Sequence, residues 1–251
     1  MSATKPCTFG IPLLDQSLGG GIPRGSVLLV ENEVGVGHDH LLIRLLAEGL
    51  RQGEYGYILS TEHLYDHYKS LLIPHGIDEI VFETRRLVFI DAFSNPYGYS
   101  EMRGPSSQPD ANIIQDIGQP RQISDSIRRA LLHVRGRAVR GVVDSLSTLL
   151  LVSDDLKPPL SFLQHKIATD KELGYTTLLT LHKDVHPPEI VNVIEHYVDG
   201  VIDISRRKDT ASRSAVELRV KKMHGLTPSD LDHAVFLYKP RPGAVELEPI
   251  D

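Results

Sequence analysis

The chain has 251 residues, 41% hydrophobic and 24% charged, with 27 Lys and Arg against 33 Asp and Glu and a net charge of -6. This is ordinary globular composition, and its mild acidity argues against a protein that coats nucleic acid by charge alone. Cys7 is the only cysteine, which excludes a disulfide scaffold, a cysteine zinc site and an iron–sulfur cluster. No apolar run approaches the ~18 residues of a membrane span, and the opening MSATKPCTFG lacks the apolar stretch of a secretory leader, so a cytoplasmic location is expected. Twelve histidines are left over as an oddity.

In chain order, short apolar runs bounded by turn signals read as buried strands, with helical periodicity between them. Val27–Val30 is the first strand. His40–Gln52 follows as a helix with Leu41, Leu42, Leu45, Leu46 and Leu50 on one stripe, stopping before Gly53. Strand Gly56–Ser60, helix His63–His75 and strand Leu87–Ile90 come next. Ser94–Gln122 breaks the pattern with Pro96, Pro105, Pro109 and Pro120, and reads as a long excursion that also holds Tyr97, Tyr99 and Met102. Helix Ile123–Arg137, with Ser124 as its N-cap, leads to strand Gly141–Asp144. Helix Pro159–Gly174, strand Thr176–Thr180 and helix Pro188–Val198 continue the alternation. Strands Gly200–Ile204 and Val216–Lys221 then precede a hairpin, Ala234–Tyr238 and Ala244–Glu248. Alternating strands and helices predict an α/β fold of one domain, a mainly parallel sheet with helices on both faces. The last strands lack helices between them and predict an antiparallel extension.

The first strand runs into Glu31-Asn32-Glu33-Val34-Gly35-Val36-Gly37-His38-Asp39-His40 and then a helix. Strand, glycine loop and helix form the setting of a phosphate-binding loop, G-x-x-x-x-G-K-[ST]. There, backbone N–H groups embrace phosphates, Lys neutralises them and the hydroxyl holds Mg²⁺. On this segment Asn32 takes the first glycine position and Gly37 the second. His38 takes the lysine position and Asp39 the hydroxyl position. The loop candidates for a nucleotide are therefore Asn32, Gly35, Val36, Gly37, His38, Asp39 and His40.

Two flanking runs, Thr8-Phe9-Gly10-Ile11-Pro12-Leu13-Leu14-Asp15 and Leu18-Gly19-Gly20-Gly21-Ile22-Pro23-Arg24-Gly25, closely resemble the opening of the KaiC-like and RadA-like branch of RecA-superfamily ATPases, which includes GvpD-like proteins. The resemblance extends over roughly residues 8 to 249. It implies a RecA-like P-loop NTPase fold and an ATP and Mg²⁺ site. It places Glu62, in Ser60-Thr61-Glu62-His63, on the water-activating base. Asp144, in Val142-Val143-Asp144-Ser145, falls on the magnesium-organising Walker B aspartate, and Thr180 on the strand whose polar tip senses the γ-phosphate. Lys222, in Lys221-Lys222-Met223-His224-Gly225, falls on a lysine that reaches a nucleotide held by the next subunit, while His224 replaces an arginine. Assembly into a ring or filament, or pairing with an active RecA-like ATPase, is the implied partnership.

The substitutions oppose ordinary turnover. A carboxylate at Asp39 about 4 Å from a phosphate oxygen is repelled by about 4 kcal/mol at an effective dielectric near 20, about a thousandfold in affinity. Asp39 also suits the positive end of a helix with no ligand present. Three outcomes stay open: an empty or weakly occupied site, retained binding with little hydrolysis, and turnover by altered chemistry. The first predicts a pseudo-ATPase with a regulatory or scaffolding role. His38, Asp39, His63 and His182 fall near the strand ends and are candidate metal ligands, with polar filling of a vacated site as the blander reading. The loops Ser153–Pro159 and Lys183–Pro188 lack basic runs and stacking aromatics, which weighs against nucleic acid. Two basic segments remain, Arg206-Arg207-Lys208 with Arg213, and Arg135, Arg137 and Arg140.

Overall fold

The computed structural model describes residues 5–94, 112–207 and 215–250. Ten strands form one sheet in the order β10-β9-β8-β7-β1-β6-β5-β2-β3-β4. They are β1 (Val27–Asn32), β2 (Tyr55–Ser60), β3 (Leu87–Asp91), β4 (Asn112–Ile113), β5 (Val139–Asp144), β6 (Thr176–His182), β7 (Gly200–Arg206), β8 (Val216–Met223), β9 (Val235–Arg241) and β10 (Ala244–Pro249). Pairing is parallel from β4 through β7 and antiparallel from β7 through β10. The parallel core and the antiparallel extension match the sequence expectation.

Burial on both faces explains the apolar runs. All six residues of β1 are buried, and successive side chains point to opposite layers. Leu28 and Val30 enter one core with the buried side of α2 (Asp39–Arg51). Val27 and Leu29 enter the other, against α5 (Pro120–Ala130), α7 (Lys157–Leu173) and α8 (Pro188–Tyr197). The leucine stripe of α2 lies wholly in the first core, and at about 25 cal/mol per Å² such burial is the main force holding helix to sheet.

Several boundaries differ from the sequence reading. The helix expected at His63–His75 runs Tyr65–Leu72 as α3, and Pro74 tightens its end into a 3₁₀ turn, Ile73–His75. The helix expected from Ile123 starts at Pro120, with Gln119 rather than Ser124 at the N-cap, because proline at the first helical position loses no hydrogen bond. That helix ends at Ala130, with a 3₁₀ turn at Leu132–Val134 before β5. Four short helices were not expected: α1 (Pro12–Ser17), α4 (Ile80–Glu83), α6 (Leu146–Leu151) and α9 (Pro228–Leu231). Most of the Ser94–Gln122 excursion, with Tyr97, Tyr99 and Met102, lies outside the described residues, as do Lys208 and Arg213.

Arg140 corrects one basic segment. It is fully buried on β5, where its Nε donates to Glu54 Oε2 at 2.7 Å and its Nη1 donates to Leu45 O at 3.0 Å. Burial works to raise the Glu54 carboxyl, but hydrogen bonds from Arg140 and Arg24 hold it below its ordinary value. Arg140 is thus a structural ion-pair partner and presents no charge to solvent. No helix among the described residues is long and apolar enough to cross a membrane.

Candidate nucleotide-loop site

Because β1, β6, β5 and β2 are consecutive neighbours in the sheet, their C-terminal ends deliver the loop after β1, Thr180 and His182, Asp144, and Glu62 to one crevice. The loop turns on Gly35 and Gly37, both at φ 73°, a region that favours glycine. Among the described residues, no N–H from Val34 to Asp39 meets a hydrogen-bond acceptor. Successive unpaired N–H groups before a helix make an anion cradle. The loop is braced from the far end of the chain: Tyr238 OH donates to Gly37 O at 2.7 Å, and the ring of Pro240 packs where a Cβ on Gly37 would be. Val36 and Asn32 are buried.

Asp144 is the centre of the site. It is fully buried, and it accepts from Thr180 Oγ1 at 2.7 Å and from Tyr68 OH at 2.8 Å. His38 Nε2 lies 3.5 Å from its Oδ1. Burial alone would raise this carboxyl, but the facing His38 ring and the two hydroxyls outweigh it and hold the pKa at about 2. Asp39 begins α2, and its Oδ1 accepts from the N–H of His40 at 3.0 Å while its Oδ2 lies 3.3 Å from His67 Nε2. Burial opposes ionisation of Asp39, and the surrounding imidazoles of His67, His38 and His40 overcome it.

A second pair sits beside the first. His182 Nε2 lies 2.5 Å from Glu62 Oε1, and Thr148 Oγ1 donates to the same oxygen at 3.3 Å. The hydrogen bond to Glu62 raises the His182 pKa against the effect of burial. The other ring nitrogen, Nδ1, faces Asn32 Nδ2 at 3.2 Å, which assigns the neutral ring its proton on Nε2. Asn32 Oδ1 has no hydrogen-bond partner, so a reversed amide would accept from a doubly protonated ring. The His182 and His38 rings meet edge to face, 6.2 Å between centroids.

The structure therefore brings Asn32, His38, Asp39, Glu62, Asp144, Thr180 and His182 together. His63 stacks on His67 at 4.0 Å and lies near enough to Asp144, Glu62 and Asp39 to feel their charges. The four suggested metal ligands do not converge: His38 faces Asp144, Asp39 faces His67, and His182 faces Glu62. Among the described residues, no group of three or more His, Cys, Asp and Glu is placed to hold a metal ion. Lys222 is held within its own chain, where its ammonium donates to Glu195 O at 2.8 Å and Val198 O at 2.7 Å, at the C-terminus of α8. Tyr68, on α3, was missed by sequence reading. The one-turn spacing of His63 and His67 was visible, but nothing local showed that Tyr68 donates to Asp144.

The family model described as "ATPase: KaiC" matches residues 7–239. The chain belongs to the KaiC ATPase family. It is 27% identical over 235 residues to a UPF0273 protein of Thermotoga maritima, covering 91% of each chain. It is 25% identical over 234 residues to a UPF0273 protein of Pyrococcus horikoshii, covering 92% of this chain and 90% of that one. The crystal structure of a KaiC-like protein from Pyrococcus horikoshii superposes with a TM-score of 0.68 at 17% identity, over 96% of this chain and 98% of that one, which shows the fold.

Proposed function

We propose that this KaiC-family chain is an inactivated ATPase that acts by binding, as a regulatory or scaffolding subunit. The observation that supports it is the pairing of His38 with Asp144. The side chain in the lysine position faces the aspartate that would organise magnesium, and Asp39 in the hydroxyl position accepts from its own helix start and faces His67 at 3.3 Å. An imidazole lacks the reach and the permanent charge of a lysine, and a carboxylate repels the phosphate that a hydroxyl would accompany. The unpaired N–H cradle fits phosphate, while His38 and Asp39 do not fit a magnesium nucleotide.

Calorimetric titration with ATP and Mg²⁺ tests the reading: no micromolar binding and no phosphate release are expected of the wild-type chain. The double variant His38→Lys with Asp39→Thr is expected to gain ATP binding by about a thousandfold or more, since one repulsion is removed and one cation restored. A double variant that folds and still ignores ATP would show that these two positions are not what closes the site.

A second reading, an ATP-binding protein with slow turnover, is favoured by the retained Glu62 and Asp144 and by the free loop N–H groups. Micromolar binding by the wild type that weakens in Glu62→Gln or Asp144→Asn would select it. The proposed partners are further copies of the chain in a ring or filament, or an active RecA-like ATPase. For Lys222 to serve a neighbour's nucleotide it would have to leave the carbonyls of α8.

A further inference from the structure

A second cavity, of about 250 Å³, opens on the other side of β6 from Glu62, beneath the β6–α8 loop. Its lining holds four carboxylates, Glu31, Asp184, Glu195 and Asp203, against two ammonium groups, Lys183 and Lys221. Both lysines are already engaged. Lys183 Nζ donates to Asp203 Oδ2 at 2.5 Å, and Lys221 Nζ donates to Glu31 Oε2 at 2.9 Å and also to Glu195. Asp184, at the exposed tip, has no cationic partner among the described residues.

Two polar atoms in this lining are without a partner. Glu31 is only 4% exposed, and its Oε1 has no hydrogen-bond partner. His186 Nε2 is also buried without one. A buried polar atom without a partner costs about 1–3 kcal/mol, more when charged, so each asks for a partner from outside the chain. In the loop that carries His186, Asp184 adopts φ 63°, an uncommon conformation for a residue with a side chain. One wall is apolar, made by Leu181, Pro188 and Val191.

We propose that this cavity binds a small organic cation, a guanidinium or primary ammonium head on a short apolar stem. The head donates to Glu31 Oε1 and, with the ring proton on Nδ1, to His186 Nε2, and the excess of carboxylates supplies its countercharge. The stem lies on Leu181, Pro188 and Val191. A planar guanidinium suits a carboxylate best, because its N–H groups lie in a fixed fork. The site is independent of the nucleotide loop, although the two share His182 as a wall.

The test is calorimetric titration of the full chain with n-butylguanidinium, using n-butylurea as a neutral counterpart of the same shape. One saturable site for the cation and none for the urea is expected. Glu31→Gln, which leaves Lys221 its partner Glu195, is expected to weaken binding about tenfold or more, the scale of one charge-assisted hydrogen bond. His186→Ala and Asp184→Asn, both on the loop, carry the test if Glu31→Gln does not fold, and each is expected to weaken binding at least threefold. Absence of a saturable site, equal binding of the urea, or affinity unchanged in the variants that fold would overturn the proposal and leave water as the partner of both atoms.

Discussion

At the scale of the residue, Asp144 carries the most consequence. It is fully buried, and its pKa of about 2 lies below the 3.8 of an ordinary aspartate. A carboxyl depressed in the folded state contributes stability above its unfolded value and loses it as pH falls through the folded value. The stability gap between wild type and Asp144→Asn is therefore expected to narrow by about 2 kcal/mol between about pH 5 and about pH 2, read by urea denaturation at several pH values. A gap that stays constant would mean that His38, Thr180 and Tyr68 do not favour the ionised form. The resemblance to KaiC-like ATPases implied that Asp144, Glu62, Asn32 and the loop residues belong to one crevice, at the ends of recognisable strands. It did not show who faces whom. His38 and Asp144 are brought together by the stacking order of β1, β6 and β5, and that order leaves no trace in the residues near His38. The buried Arg140 hid for the same reason, since its partner Glu54 stands on the approach to another strand.

At the scale of the element, the strands were legible because each is a short apolar run buried on both faces, and the helices because their stripes were long. The start of α5 was obscured by Pro120, which marks a loop and a first helical turn equally well. The short helices α4 and α9 offer no more than one turn of periodicity, too little to distinguish from a loop. The end of α8 is a case where one side chain completes an element. Lys222 reaches across from β8 to donate to Glu195 O, His196 O and Val198 O, the carbonyls that a helix end leaves without partners. It also places a positive charge at the negative end of the helix dipole. Lys222→Ala is expected to cost about 1–2 kcal/mol and to speed amide exchange in the last turn of α8. Unchanged exchange there would show that the carbonyls are satisfied without it.

At the scale of the whole molecule, the family and the parallel core with its antiparallel extension followed from the sequence, and the partnership that the resemblance implies is a matter for solution measurement. A scaffolding subunit that assembles with itself is expected to give a multiple of the chain mass in size-exclusion chromatography with light scattering. A clean monomer at high concentration would remove the ring or filament and leave only pairing with another ATPase. Edge-to-edge growth of the sheet is a poor route to such assembly. Among the described residues one edge, β4, is two residues long, and the other, β10, carries Glu246, Glu248 and Pro249.

The bond from Tyr238 to Gly37 spans 201 positions of the chain. The loop after β1 is therefore finished by a hairpin that lies far along the chain. While the chain is being synthesised, β1 and α2 emerge long before β9, and the brace on the loop is added only once that hairpin has been made. Folding of the site thereby waits on β9. A chain cut short before β9 lacks the brace however much of the parallel core it has assembled.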